Sequence, residues 1–181
     1  ERLIHEFLKN PVRISVKTRD TSKNIDQDVI RVQGRLKFDV LKELLSDKEE
    51  FSKTLVFART KHGADKLAKA LTQAGIRSDA IHGNKQQNAR QRVLEDFKQG
   101  IVAVLVATDV AARGLDIKEV SHVVNYDLPR SPADYVHRIG RTGRAGESGV
   151  AVSFISAETD AHFRLIEKRN RLCIEREQLP G

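Results

Sequence analysis

The run YVHRIGRTGRAGESG, Tyr135 to Gly149, places glycine at every third position from Gly140 onward and sets Arg141 and Arg144 three residues apart among them. A guanidinium is a planar fork of donors that matches phosphate or carboxylate, and glycine lets backbone approach a ligand closely. Arginines held on a short glycine turn have the geometry of an arginine finger, which stabilises charge on a phosphoryl group in transfer and is worth ~10³ to 10⁵ in rate. His137 stands four residues before Arg141 and shares its helix face if the preceding helix persists that far. A plainer reading is a glycine-rich connection before a strand, carrying two surface charges. The dipeptide Gly-Lys never occurs, so the chain lacks the Gly-x-x-x-x-Gly-Lys-Ser/Thr loop that cradles a triphosphate. The two arginines would have to act on a nucleotide held by another domain.

A second group of polar residues falls in four turns: Arg59-Thr60-Lys61, His82-Gly83-Asn84-Lys85, Thr108-Asp109 and Asp127-Leu128-Pro129-Arg130. Each turn follows an apolar, strand-like run, and Arg90 stands about one turn into the helix after the second. In an open parallel sheet, ligands sit beyond the carboxyl ends of the strands, where loops lead into helix N-termini. Hydroxyls, glycine and basic groups at such an edge grip sugar and phosphate rather than base edges, so binding would be independent of sequence. Aromatics make up only 5% of the chain, which leaves little stacking and makes the grip polar and salt-sensitive. Taken singly, these residues have ordinary uses: Thr108 and Asp109 as a helix cap, His82 as a turn residue, the lysines as a solvated face. Their coincidence on one edge carries the reading.

The elements that must position both groups alternate along the chain. Apolar, β-branched runs occur at Val29 to Val32, Thr54 to Ala58, Ser78 to Ile81, Val102 to Ala107, His122 to Tyr126 and Val150 to Ile155. Several are apolar at consecutive positions, as strands buried on both faces are. Between them run helical stripes, Phe38-Leu41-Leu44-Leu45, Ala64-Leu67-Ala68-Leu71 and Val93-Leu94-Phe97. Strand, helix, strand, helix predicts an α/β domain with a parallel sheet and helices on both faces. Gly75 and Gly100 fall where left-handed helix ends are expected, and Ser131-Pro132-Ala133-Asp134 predicts a helix start.

Composition narrows the classes. The chain has 181 residues, with 32 Lys and Arg against 25 Asp and Glu and a formal charge of +7, which favours an anionic partner. One cysteine, Cys173, excludes a disulfide framework and a zinc set. The longest apolar run, Ile101 to Ala107, is far short of the ~20 residues of a membrane span. No membrane partner and no metal ligands are expected, and a reducing, cytoplasmic setting is.

The segments LVFART (Leu55 to Thr60), IHGNKQQNAR (Ile81 to Arg90), VLVATDVAARGLDI (Val104 to Ile117), VVNYDLP (Val123 to Pro129) and YVHRIGRTGR (Tyr135 to Arg144) resemble, in order, the blocks of the second RecA-like domain of DEAD-box RNA helicases. The wording of ARTKHGADKLAKAL and IHGNKQQNAR is most similar to the bacterial RhlE-like branch. The resemblance implies a three-layer RecA-like fold in an ATP-dependent RNA helicase. Arg141 and Arg144 would reach the triphosphate across an interdomain cleft, Asp116 and Gly114 would lie at the nucleotide, with Asp116 on the ribose, and His137 would couple the two domains. Arg59, Gly83, Arg90, Thr108 and Arg113 would face RNA. ATP with Mg²⁺ would be bound mainly by an upstream RecA-like domain acting in cis, whose signature blocks do not occur here. Residues 1–10 then read as the tail of that domain, 11–27 as a linker, and 28–181 as the second domain, inactive by itself. A DNA-directed helicase of the same superfamily and a non-catalytic RNA-binding module stay open as alternatives.

Overall fold

The computed structural model describes residues 25–32, 36–113, 115, 117, 120–143 and 148–170 in full, and the backbone of 176–178. The expected upstream tail, most of the linker, Gly114, Asp116, Arg144 and Cys173 lie outside the described residues. Among the described residues seven strands form one sheet: β1 (Ile25–Arg31), β2 (Thr54–Phe57), β3 (Ser78–Ile81), β4 (Val104–Ala107), β5 (His122–Asn125), β6 (Gly149–Ile155) and β7 (Arg176–Gln178). Their spatial order is β3-β4-β2-β5-β6-β1-β7, with every neighbouring pair parallel. β1 begins at Ile25, so residues 25–27, expected in the linker, are sheet. Periodicity missed them because Asp26, Gln27 and Asp28 interrupt the apolar run, yet Gln27 and Asp28 are buried. Gln27 is satisfied by the hydroxyl of Tyr135, which donates to its Oε1 at 2.8 Å.

Helices α1 (Lys37–Leu44) and α2 (Lys61–Gln73) cover one face of the sheet. Val40, Leu41, Leu44, Ala64, Leu67 and Leu71 meet Val56, Val106, Val124 and Val152 there. The opposite face carries α3 (Gln87–Lys98), α4 (Asp109–Arg113), α5 (Pro132–Ile139) and α6 (Asp160–Arg169). Val93 and Phe97 pack on Leu55, Leu105 and Val123; Tyr135, Ile139, Phe163 and Ile166 pack on Val29 and Ala151. Consecutive residues of one strand thus serve opposite cores, which is why the strands read as unbroken apolar runs. This is the three-layer α/β arrangement expected.

The punctuation also agrees. Gly75 and Gly100 have φ of 88° and 82° at the ends of α2 and α3, and Ser131 caps α5 by accepting from the Asp134 N–H at 3.1 Å. Thr60 caps α2, accepting from Gly63 N–H at 2.9 Å.

Candidate nucleic-acid and phosphate interface

The register of the sheet decides which turns meet. Ile81 of β3 pairs with Ala107 of β4, Ala107 with Phe57 of β2, and Phe57 with Asn125 of β5. These are the last residues of their strands, so four polar turns leave the sheet at one level, on neighbouring strands ~4.8 Å apart. Along that edge, in spatial order, come Gly83, Thr108, Arg59 and Tyr126-Asp127.

Arg59 is exposed, and its guanidinium bonds to no described residue. Its own N–H donates to Asp127 Oδ2 at 2.8 Å, fixing the turn. Gly83 leaves open space where a Cβ would stand, so backbone there is accessible to a strand lying close. The turn behind it is held by His82, a buried side chain whose Nδ1 accepts from the Asn84 N–H at 3.2 Å, with Nε2 2.9 Å from Asp65 Oδ2. His82 therefore shapes the turn, the plainer of its two readings. Arg90, the fourth residue of α3, is half-buried and its Nε lacks a hydrogen-bond partner among the described residues. Thr108 is buried at the start of α4, and Lys61 Nζ donates to Asn84 Oδ1 at 3.1 Å across the turn edge. Arg113, half-exposed at the end of α4, pairs with Asp134 of α5.

One arginine that sequence reasoning passed over organises the neighbourhood. Arg138 is 2% exposed. Its Nε and one terminal nitrogen donate to the two carboxylate oxygens of Asp109 at 2.7 and 2.8 Å. The other nitrogen donates to Asn125 Oδ1 at 3.1 Å and to the Asp127 carbonyl at 2.6 Å. The guanidinium lies 4.7 Å from the Phe57 ring centroid. A single side chain thus ties α5 to α4, β5, β2 and the turn after β5. The available signal was charge: a third arginine in the arginine run, and Asp109 at a helix start with no partner in its own segment.

The described part of the arginine turn, Arg141 to Gly143, is pinned. α5 ends at Ile139, so Arg141 lies past the helix and does not continue its face with His137. Both still line one small depression, with Asp109, Ala112, Arg113 and Arg138. His137 is exposed there. Arg141 is half-buried and donates to the carbonyls of Ala112 at 3.0 Å, Ile117 at 3.2 Å and Leu115 at 3.4 Å. Thr142, fully buried, forms a parallel bridge with Val120 and its hydroxyl donates to the carbonyls of Val120 and Ser121.

The glycines of this segment have different tasks. Gly143 has φ 67°, a left-handed value that suits glycine. Gly149, at the start of β6, would drive a Cβ into the Thr142 side chain and the Gly143 backbone. Gly140 has an ordinary φ of −67°. Gly149→Ala is accordingly expected to cost about 1–3 kcal/mol by overpacking and to shift the turn that carries Arg141. Denaturant midpoints of wild type and variant measure it; an unchanged midpoint would show that the turn yields freely.

A parallel three-layer domain whose strand ends form one polar edge, with an arginine turn fixed beside it, has the build of a RecA-like helicase domain. Residues 36–146 match the helicase conserved C-terminal domain family, and the chain belongs to that family, as a C-terminal domain of the DEAD-box kind. The DEAD-box ATP-dependent RNA helicase CshA of Bacillus subtilis is 45% identical over 99% of this chain, which spans 36% of that protein. The C-terminal domain of the DEAD-box protein Dbp5 superposes with a TM-score of 0.78 at 38% identity, over 86% of this chain and 91% of that one. Dbp5 of S. cerevisiae bound to RNA and ADP BeF3 gives 0.75 at 36% identity, over 91% of this chain and 43% of that one. The chain thus spans about a third of the length of the curated relatives it matches.

Proposed function

We propose that this chain is the RNA-gripping, arginine-supplying half of an ATP-dependent RNA helicase. The observation that supports it most is the strand order. Gly83, Thr108 and Arg59 follow three adjacent strands in register, and Arg141 leans on the helix that follows the middle one. Arg90 and Arg113 flank that edge. Contacts of this type hold a sugar-phosphate backbone without reading bases. RNA lying there and ATP held by an upstream RecA-like domain would draw the two domains together. Arg141 and Arg144 would then stabilise charge on the transferring phosphoryl group, Gly114 and Asp116 would lie at the nucleotide, and His137 would face the upstream domain. ATP with Mg²⁺ is the substrate, and hydrolysis would depend on RNA because RNA binding assembles the site. Closure would open a short stretch of duplex.

The cytoplasm is the setting we assign. The RhlE-like branch rests on the wording of two segments, while the relative named above is CshA; we keep RhlE-like as the branch and assign the protein to bacteria. Among the described residues no helix is long and apolar enough to cross a membrane.

ATP turnover tests the reading, comparing the chain by itself with the chain joined to its upstream domain, each with single-stranded RNA, single-stranded DNA or neither. Turnover by the joined form alone, stimulated by RNA, is expected. Equal stimulation by DNA would assign the edge to a DNA-directed helicase, and an inert joined form that still binds RNA would make it a binding module.

A further inference from the structure

Beside Arg59 the same sheet edge opens into a cleft of about 430 Å³ at the ends of β2, β5, β6 and β1, lined among others by Lys37, Tyr126, Ser156 and Thr159. The volume is in the ~300–1,000 Å³ range of small-molecule sites. We propose that this cleft is a subsite for a further nucleotide of the same RNA strand, beyond Arg59. The inference rests on reading the β3-β4-β2 edge as the RNA track and extends that track.

Continuity is the first argument. Phe57 pairs with Asn125, and Asn125 with Ser153, so the cleft begins on the strand next to Arg59 and at the same level. A strand crossing Gly83, Thr108 and Arg59 in that order has the cleft next in line. The second argument is the chemistry of the lining. The Arg59 guanidinium is unpaired among the described residues and reaches into the cleft from the track. The Tyr126 hydroxyl has no partner among the described residues. Burial first, and then the carboxylates of Asp127 and Asp39, push its pKa up to about 12, so it remains a donor at working pH. Lys37 Nζ lies 4.3 Å from the Tyr126 ring centroid and 2.6 Å from Asp127 Oδ1. Asp127, the carboxylate among the described lining residues, is therefore already engaged, by Lys37 and by the Arg59 N–H. The hydroxyls of Ser156 and Thr159 close the far side, 3.3 Å apart. The cations Arg59 and Lys37 against Asp127 in the lining, with the hydroxyls of Thr60, Tyr126, Ser156 and Thr159, suit a phosphate and ribose. Val32, Leu128 and Phe154 supply an apolar floor on which the flat side of a base can rest.

Oligouridylates of four to ten nucleotides, lengthened from either end, test this by fluorescence anisotropy on the chain joined to its upstream domain, with a non-hydrolysable ATP analogue present. Affinity is expected to rise stepwise at the length that first reaches the cleft. Tyr126→Phe, which removes only the hydroxyl, is expected to take about fivefold from that step and to leave shorter oligonucleotides unchanged. Lys37→Gln is expected to flatten the salt dependence by about 0.7 of a log unit per log unit of salt for the long strand alone. Short strands that bind with no later step, or variants that weaken all lengths equally, would overturn the subsite while leaving the RNA track intact. Absence of binding at every length would overturn both.

Discussion

Replacing Arg141 with alanine in the two-domain protein is expected to lower RNA-stimulated ATP turnover by about a thousandfold, the lower end of what an arginine finger contributes. The domain itself should survive. In the structure Arg141 is half-buried and its charged guanidinium donates to the neutral carbonyls of Ala112, Leu115 and Ile117; losing such bonds costs about 1–3 kcal/mol, less than the ~5–15 kcal/mol stability of a typical domain. Those bonds also set the terms on which the side chain acts. A guanidinium that exchanges carbonyl oxygens for phosphate oxygens gains an anionic acceptor and a bidentate match for its fork. Reaching a triphosphate is then favourable once the upstream domain brings one near.

The expected pattern for Arg141→Ala is a fall in kcat with RNA affinity within about threefold of wild type, because the turns proposed to face RNA are held by other residues. Arg141→Lys keeps the charge and loses the fork, so it should recover only part of the rate. Turnover within about threefold of wild type in Arg141→Ala would remove this residue from the chemistry. Arg144, three residues on, would then be the one arginine of the pair left to act.

The second large effect is on stability. Arg138→Ala is expected to destabilise the domain by about 3 kcal/mol, the low end for breaking a buried ion pair. Asp109 is left without its partner beneath α5, and the Asn125 and Asp127 acceptors lose their donor. For a domain of this size that corresponds to a fall in Tm of about 6–12 °C. Asp109 retains some contact with water, its side chain being 26% exposed, which keeps the expected value at the low end. The Asp109→Ala, Arg138→Ala double variant should be more stable than Arg138→Ala alone, because the uncompensated carboxylate is gone. Equal stability of the single and double variants would show that the cost lies in the Phe57 contact and the lost packing. Arg138→Lys should not rescue, since an ammonium cannot reproduce a bidentate fork.

Much of the edge was legible before the fold was known. The four turns were found because each follows an apolar run and precedes a helix, and a parallel sheet must place such turns on one side. The Gly75, Gly100 and Ser131 boundaries followed from local sterics and capping. Three features were not legible. β1 was read short because its buried Gln27 and Asp28 break the hydrophobic pattern, and their partners come from residues more than a hundred positions away in the case of Gln27. The end of α5 before Arg141 depends on Thr142 being drawn to Val120 and Ser121, a contact across 22 positions. Arg138 was passed over because its acceptors come from two distant segments, Asp109 and the stretch from Asn125 to Asp127.

By itself, then, the sequence determined the alternation of elements, the class of fold and the kinds of groups at the polar edge. Those depend on side-chain periodicity and on residues within a turn of one another. Only the tertiary structure decided the order of the turns along the edge, since strand order is set by crossover packing and has no local code. It also decided which arginine is buried in an ion pair. Arg138 and Arg141 are the same residue type three positions apart, yet Arg138 is 2% exposed with its fork on Asp109, while Arg141 is half-buried and donates to the carbonyls of Ala112, Leu115 and Ile117.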